Sequence, residues 1–336
     1  MSRFIDFMFL CRRIGRGSSR KRSLLACVTI ALTVASSAVA QDPRTGWPKS
    51  LLLGTASPGG VYMIYGEAVA QLLTEKLGVA TNITPSHGSV HNVKLIEMGS
   101  AQLGLVIMAG DWTHEGRFQT IRALVPMYES PLHIVALRRS GITTLAQLNK
   151  KRVSPGPRAT VNAEIAQRIL AAFGISAEMR YASFDAMAAE LLEGEIDAVF
   201  VPIAAPAPAI QNVEAKEPVT LISLSPEQID IIRTAIPALT TSKIAAGTYR
   251  SLDKDFVTVG MWNFVVGRAD LPNDLVYQLV KAVFEGQPRL QKAHPVASET
   301  IPQNAVKDTF LPFHPGAVRY YREIGIKIPD ALVPTN

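Results

Sequence analysis

The chain has 336 residues, 48% of them apolar and 18% charged, with 34 Lys and Arg against 28 Asp and Glu. Such a length builds more than one hydrophobic core, and such a composition excludes disordered and fibrous classes. Residues 1–40 hold seven of the bases and one of the acids, so the rest carries 27 of each. That balance gives no electrostatic ground for a nucleic-acid or anionic-membrane partner.

The basic N-terminus reads as an export signal. Arg12, Arg13, Arg16, Arg20, Lys21 and Arg22 precede an apolar run over 24–34. Ala38-Val39-Ala40 then has the small-x-small form of a signal-peptidase site. The run is shorter than the roughly 20 residues a membrane span needs. Cleavage is expected after about Ala40, with the protein in the periplasm. Cys11 and Cys27 both fall in the removed segment, which leaves no thiol or disulfide in what remains.

The first unit after Trp47-Pro48 is a strand, Leu51-Leu52-Leu53, followed by the turn Gly54-Thr55-Ala56-Ser57-Pro58-Gly59-Gly60-Val61-Tyr62. A helical pattern over 64–77 follows, with Val69, Leu72, Leu73 and Leu77 on one face and Gly78 ending it. A glycine-rich turn at a helix start aims backbone N–H groups at an anion or carboxylate. Neither Gly-Lys-Ser/Thr nor GxGxxG appears there, which separates it from nucleotide loops. Strand 80–84 then enters Pro85-Ser86-His87-Gly88-Ser89, with Ser89 the expected cap of a helix bearing Val90, Val93 and Ile96. A buried strand is predicted over 103–108.

A further strand covers 133–137, and 141–148 opens a short helix. A second strand and helix series follows: 152–154, the turn Pro155-Gly156-Pro157-Arg158-Ala159-Thr160, a helix with Val161, Ile165, Ile169, Leu170 and Phe173 aligned, strand 178–181, helix 184–192 and strand 198–201. Another strand is predicted over 257–266 and another helix over 272–284. The fold class is α/β, as two lobes of one architecture. The first lobe takes 41–140 plus 257–336 and the second 141–256, with crossing strands near 133–140 and 257–268 as the hinge.

Three segments share one construction of strand, small or polar turn and helix start: 54–62, 85–92 and 154–162. Ligands collect outside the carboxyl ends of strands, where such turns converge. From the first turn the candidate contacts are Thr55, Ala56, Ser57, Gly60, Val61 and Tyr62. The second offers His87, Ser89 and Asn92, and the end of the third strand Met108. The second lobe contributes Thr160 and Arg158, whose guanidinium suits a carboxylate. Asn92 has a plainer reading as a group that tidies the helix end, and Tyr65 one as core. His87 and His91 have an i, i+4 metal spacing, but Gly88-Ser89 interrupts it and no carboxylates complete a site. No GxSxG elbow, cysteine nucleophile or paired carboxylates point to an enzyme, and no cofactor is expected.

With these residues assembled, the chain resembles the TAXI family of solute receptors, the periplasmic binding subunits of tripartite ATP-independent (TRAP) transporters. The likeness rests on Gly54-Thr55 through Gly59-Gly60-Val61-Tyr62, on Gly88-Ser89-Val90-His91-Asn92-Val93-Lys94-Leu95 and on Gly141 to Leu148 with Lys151-Arg152-Val153-Ser154. Gly194-Glu195-Ile196-Asp197-Ala198, Val259-Gly260-Met261-Trp262-Asn263, Ala293-His294-Pro295 and His314-Pro315-Gly316-Ala317-Val318-Arg319-Tyr320-Tyr321 extend it to most of the chain. The resemblance implies a type II periplasmic-binding-protein fold, with a hinge and a central cleft that takes a small organic acid or amino acid. The partners it implies are the solute and the permease subunits of a TRAP transporter. Two departures stand out: Pro157-Arg158-Ala159-Thr160 replaces a Gly-Ser-Gly-Thr type turn, and Ile107-Met108 replaces a polar pair. They suggest a carboxylate on an apolar or aromatic body. Delivery to an ABC permease or a sensor kinase is the main alternative, and an exported enzyme the lesser one.

Overall fold

The computed structural model describes residues 44–57, 60–109, 119–307 and 309–334. The export signal, with Cys11 and Cys27, and Pro58-Gly59 of the first turn lie outside the described residues. The described strands and helices fall in the unit Gly46–Asn336. Among the described residues, no helix is long and apolar enough to cross a membrane.

The first series runs β1 (Ser50–Gly54), α1 (Val61–Leu77), β2 (Ala80–Thr84), α2 (Ser89–Glu97) and β3 (Leu103–Ile107). β1 lies parallel to both β2 and β3, as strands joined by crossover helices must. α1 buries Val69, Leu72, Leu73 and Leu77 and ends on Gly78 in the left-handed conformation. At α2 the expected cap moves by one residue. Gly88 is the N-cap, with φ 86° and ψ −156°, and Ser89 is the first helical residue. Only glycine adopts that backbone readily, so the serine is released from capping to do something else.

β4 (Ile121–Leu137) starts twelve residues before its predicted beginning at 133. Pro126 and Pro131 lie within it and conceal the strand in the sequence, since proline removes a ladder donor. The second series follows: β5 (Arg152–Ser154), α3 (Val161–Ala172), β6 (Glu178–Met179), α4 (Phe184–Glu193) and β7 (Ala198–Pro202). Residues 141–148 hold a short 3₁₀ turn, Leu145–Leu148, closed by a capping box of Thr144 and Gln147. α5 (Pro208–Glu214), β8 (Val219–Leu221), α6 (Pro226–Ala235) and β9 (Thr240–Ile244) lead to the long β10 (Phe256–Arg268). Helices α7 (Asn273–Glu285), α8 (Gln287–Ala293) and α9 (Pro315–Glu323) close the chain.

The strand order is β2-β1-β3-β10-β4-β7-β5-β6, with β8 added on β4 and β9 on β10. β4 changes partner partway: Ile121 to Pro131 run antiparallel to β10, whereas Leu132 to Val135 face β7. β10 pairs with β3 and β4 along most of its length and with β9 through Phe256 to Gly260. These two strands join the sheet of the first series to that of the second. The β4–β10 ladder breaks beside the partner change, stepping from Trp262 opposite Glu129 to Phe264 opposite Pro126. Asn263 sits in that break.

Candidate ligand-binding cleft

A cleft of about 650 Å³, counting the part open to solvent, lies where the turns of the two series meet. That volume suits a small organic molecule. The first series lines it with Ala56, Ser57, Gly60, Val61, Tyr62, His87, Gly88, Ser89 and Ile107, and the second with Pro157, Thr160, Val161, Asn162, Phe184, Pro202, Ile203 and Ala204. Tyr128, Ser130 and Asn263 of the crossing strands complete the lining.

Each turn is built for the position it takes. Asn92 is fully buried, and its amide donates to the carbonyls of Thr55 and Leu105, both at 2.7 Å. Its Oδ1 accepts from the Ser86 hydroxyl at 2.7 Å. A methyl on Gly54 would fall 2.5 Å from Asn92 Oδ1, and one on Gly104 3.1 Å from its Cβ. The two glycines thus clear the space through which Asn92 ties the ends of β1 and β3. Thr55 is equally buried: its N–H donates to the Thr84 carbonyl at 3.0 Å, and its hydroxyl lies 3.0 Å from the same oxygen.

Ser89, freed from capping, accepts the Ile107 N–H at 2.9 Å and locks α2 to β3. Tyr62 donates its hydroxyl to Asn263 Oδ1 at 2.6 Å. Burial pushes the Tyr62 phenol above its ordinary pKa, and a hydrogen bond with Ser89 opposes that rise. The Asn263 amide donates in turn to the Tyr128 carbonyl at 2.9 Å and to Ser130 Oγ at 2.8 Å. Neither α1 nor α2 has a side-chain cap or an acidic residue in its first turn. No side chain of their own first turns therefore offsets the partial positive charge at these two helix starts.

In the second series Thr160 caps α3, accepting from the Ala163 N–H at 3.3 Å and donating to the Pro157 carbonyl at 2.8 Å. Phe184 opens α4 and lies against two turns at once. A methyl on Gly156 would come within 3.1 Å of its ring, and one on Gly60 within 3.4 Å. One aromatic ring therefore touches the helix start of the first series and the turn of the second.

Of the residues singled out in the sequence, Ala56, Ser57, Gly60, Val61, Tyr62, His87, Ser89 and Thr160 line the cleft. Four others sit elsewhere. Thr55 and Asn92 lie beneath the turns, engaged with backbone carbonyls. Met108 is fully buried, with its N–H on the Trp262 carbonyl at 2.8 Å. Arg158 is exposed and its guanidinium stacks 4.1 Å from the Tyr181 ring centre, a cation–π contact outside the lining. His87 and His91 stack on each other at 5.4 Å. Among the described residues no group of three or more His, Cys, Asp and Glu side chains gathers for a metal.

Residues that local patterning overlooked are Asn162, Phe184, Tyr128, Ser130 and Asn263. A signal for Asn162 was present: Thr160-Val161-Asn162 repeats the helix start Gly60-Val61-Tyr62.

Two α/β series with a shared pair of crossing strands and a cleft between their turns make a type II periplasmic-binding-protein fold. A solved structure of a periplasmic transporter superposes with a TM-score of 0.50 at 15% identity, over 72% of this chain and 84% of that one. The substrate-binding protein of an amino acid ABC transporter gives 0.49 at 14%, over 73% and 96%. An amino acid ABC transporter substrate-binding protein from Streptococcus pneumoniae, bound to L-arginine, gives 0.48 at 17%, over 74% and 94%. Residues 53–325 match the NMT1-like family, and the chain belongs to that family.

Proposed function

We propose that the protein is an exported solute receptor which captures a small organic acid or amino acid between its lobes and delivers it to a membrane permease. The observation that carries this reading is the shared lining of the cleft by helix starts from both series, Val61-Tyr62 on one side and Val161-Asn162 on the other. A solute touching both gains its second set of contacts only when the lobes are together, so binding favours the closed state. Moving a mostly open receptor to a mostly closed one needs ~5 kcal/mol of differential affinity. A few charge-assisted hydrogen bonds and buried apolar contacts supply that much.

The uncapped starts of α1 and α2 favour a carboxylate, and Val61, Ile107, Val161, Phe184 and Ile203 favour an apolar body beside it. This reading keeps the sequence-based lobe boundaries, the periplasmic location and the cleft-lining candidates. It replaces Arg158 and Met108 as selecting residues. The TAXI resemblance favours a TRAP permease as the acceptor. The amino acid ABC transporter receptors among the similar structures make an ABC permease the second reading. Neighbouring genes separate the two.

The test is purification without denaturation, followed by unfolding and mass identification of what is released. A single retained small acid is expected. Covalent turnover of that molecule on re-addition overturns the receptor reading in favour of an enzyme.

A further inference from the structure

We infer that Asn162 is the residue through which the second lobe reads the solute, its amide meeting an oxygen atom of the guest. The inference rests on the receptor reading above. It begins from the likeness between two helix starts. α1 opens Gly60-Val61-Tyr62 and α3 opens Thr160-Val161-Asn162, and in both the valine and the residue after it line the cleft. In the first series that polar residue already has its partner, since Tyr62 donates to Asn263. In the second it has none: Asn162 is half-buried, and among the described residues no group hydrogen-bonds to its amide. Thr160 is no alternative reader, because its hydroxyl is taken up by the Pro157 carbonyl and the Ala163 N–H.

An amide offers two donors and one acceptor, and taking it from water into a closed cleft without a partner is unfavourable. The second-series side chains that share the lining with it, Val161, Phe184, Pro202 and Ile203, are apolar and provide no such partner. The guest provides it. With the carboxylate placed at the first lobe's uncapped helix starts, Asn162 takes a second oxygen function on the same molecule, a hydroxyl, oxo or further carboxylate oxygen. The expected class is a small acid with oxygen at both ends and an apolar middle.

Calorimetric titration with matched probe pairs tests this: 4-hydroxyphenylacetate against phenylacetate, and glutarate against butyrate. Wild-type protein is expected to prefer the oxygen-richer member of at least one pair by about tenfold. Asn162→Ala should abolish that preference by weakening only the richer member. Asn162→Asp, which keeps the shape, should weaken every acid through like-charge repulsion. A preference that survives Asn162→Ala, or an equal loss for both members of the pair, overturns the inference and leaves the receptor reading in place. Wild-type binding with no preference in any pair does the same. Failure of wild-type protein to bind any probe overturns the acid-receptor reading and this inference with it.

Discussion

The Tyr62 hydroxyl and the Asn263 side chain meet at 2.6 Å across 201 residues of sequence, joining the first turn of α1 to the break in the β10 ladder. Asn263 is almost wholly buried and serves Tyr128 and Ser130 as well. A buried amide with every hydrogen-bonding group engaged fixes geometry more than it adds net stability. The base of the cleft is therefore set before a solute arrives.

Removing Asn263 should cost more than removing its partner's hydroxyl. Asn263→Ala leaves the Tyr128 carbonyl and Tyr62 hydroxyl without their partner, and a loss of about 3 kcal/mol is expected; Tyr62→Phe should cost about 1 kcal/mol. Urea unfolding of both variants and the double mutant measures the coupling. Purely additive effects would show that the 2.6 Å contact has no energetic weight.

Asn92 is predicted to act on stability rather than on recognition. Asn92→Ala leaves the Leu105 carbonyl without its amide donor and the Thr55 carbonyl with the Ser86 hydroxyl alone, and it opens a space facing Gly54 and Gly104, so about 3 kcal/mol should be lost. Thermal melting reads this directly. A variant of native stability with lost solute affinity would return Asn92 to the ligand.

Phe184 should behave in the opposite way. It is half-exposed in the second lobe, and its ring meets Gly60 of the first lobe across the cleft. Phe184→Ala is expected to cost about 1 kcal/mol or less of stability. Solute affinity should fall by about tenfold or more, because the wall and the contact that favours closure go together. Equal affinity in the two proteins at saturating calorimetric precision would contradict this.

Acid should weaken the fold through buried histidines. Burial depresses both His133 and His314 to about 4 from an ordinary 6.5, and lowers His294 as well. His133 donates Nδ1–H to the Pro131 carbonyl at 2.9 Å and accepts the Tyr249 hydroxyl at Nε2, 2.8 Å away, a neutral arrangement with no place for a second proton. The unfolded chain binds protons that the folded chain refuses, so their contribution is complete above about 6.5 and lost as pH falls toward 4. Glu299 runs the other way. Burial raises its carboxyl to about 7, so the folded state holds a proton the unfolded state releases above 4.5, and stability declines as pH rises through that window. With two strongly depressed histidines against one carboxyl, melting temperature should fall between pH 6.5 and 4. His133→Gln should shallow that slope, and Glu299→Gln should remove the decline toward pH 7. A melting temperature flat from 4 to 7 would contradict both assignments.

The parts of the fold visible in the sequence are those set by local chemistry. Apolar strands, glycine-punctuated turns and helical stripes over 51–107 and 152–201 stand in the structure nearly where they were read. The first twelve residues of β4 were hidden because Pro126 stands at the break in the β10 ladder and Pro131 at the change of partner, tertiary circumstances without a local signature. The cleft followed the same rule. Its turns were legible, whereas Tyr128, Ser130 and Asn263 enter from crossing strands whose meeting depends on the whole sheet. Arg158 carried the expected chemistry but lay within reach of Tyr181, and a surface stack on that ring takes it from the cleft. Ser89 and Asn92 illustrate the remaining gap: spacing placed both at a helix start, and only the left-handed Gly88 shows which of them is free.

Small-angle scattering on protein stripped of its retained solute, before and after that solute is added back, tests the central claim most directly. A decrease in radius of gyration at saturation, weakened in Asn162→Ala and Phe184→Ala, is predicted for a solute that draws the lobes together. An unchanged scattering curve at saturating solute would contradict it.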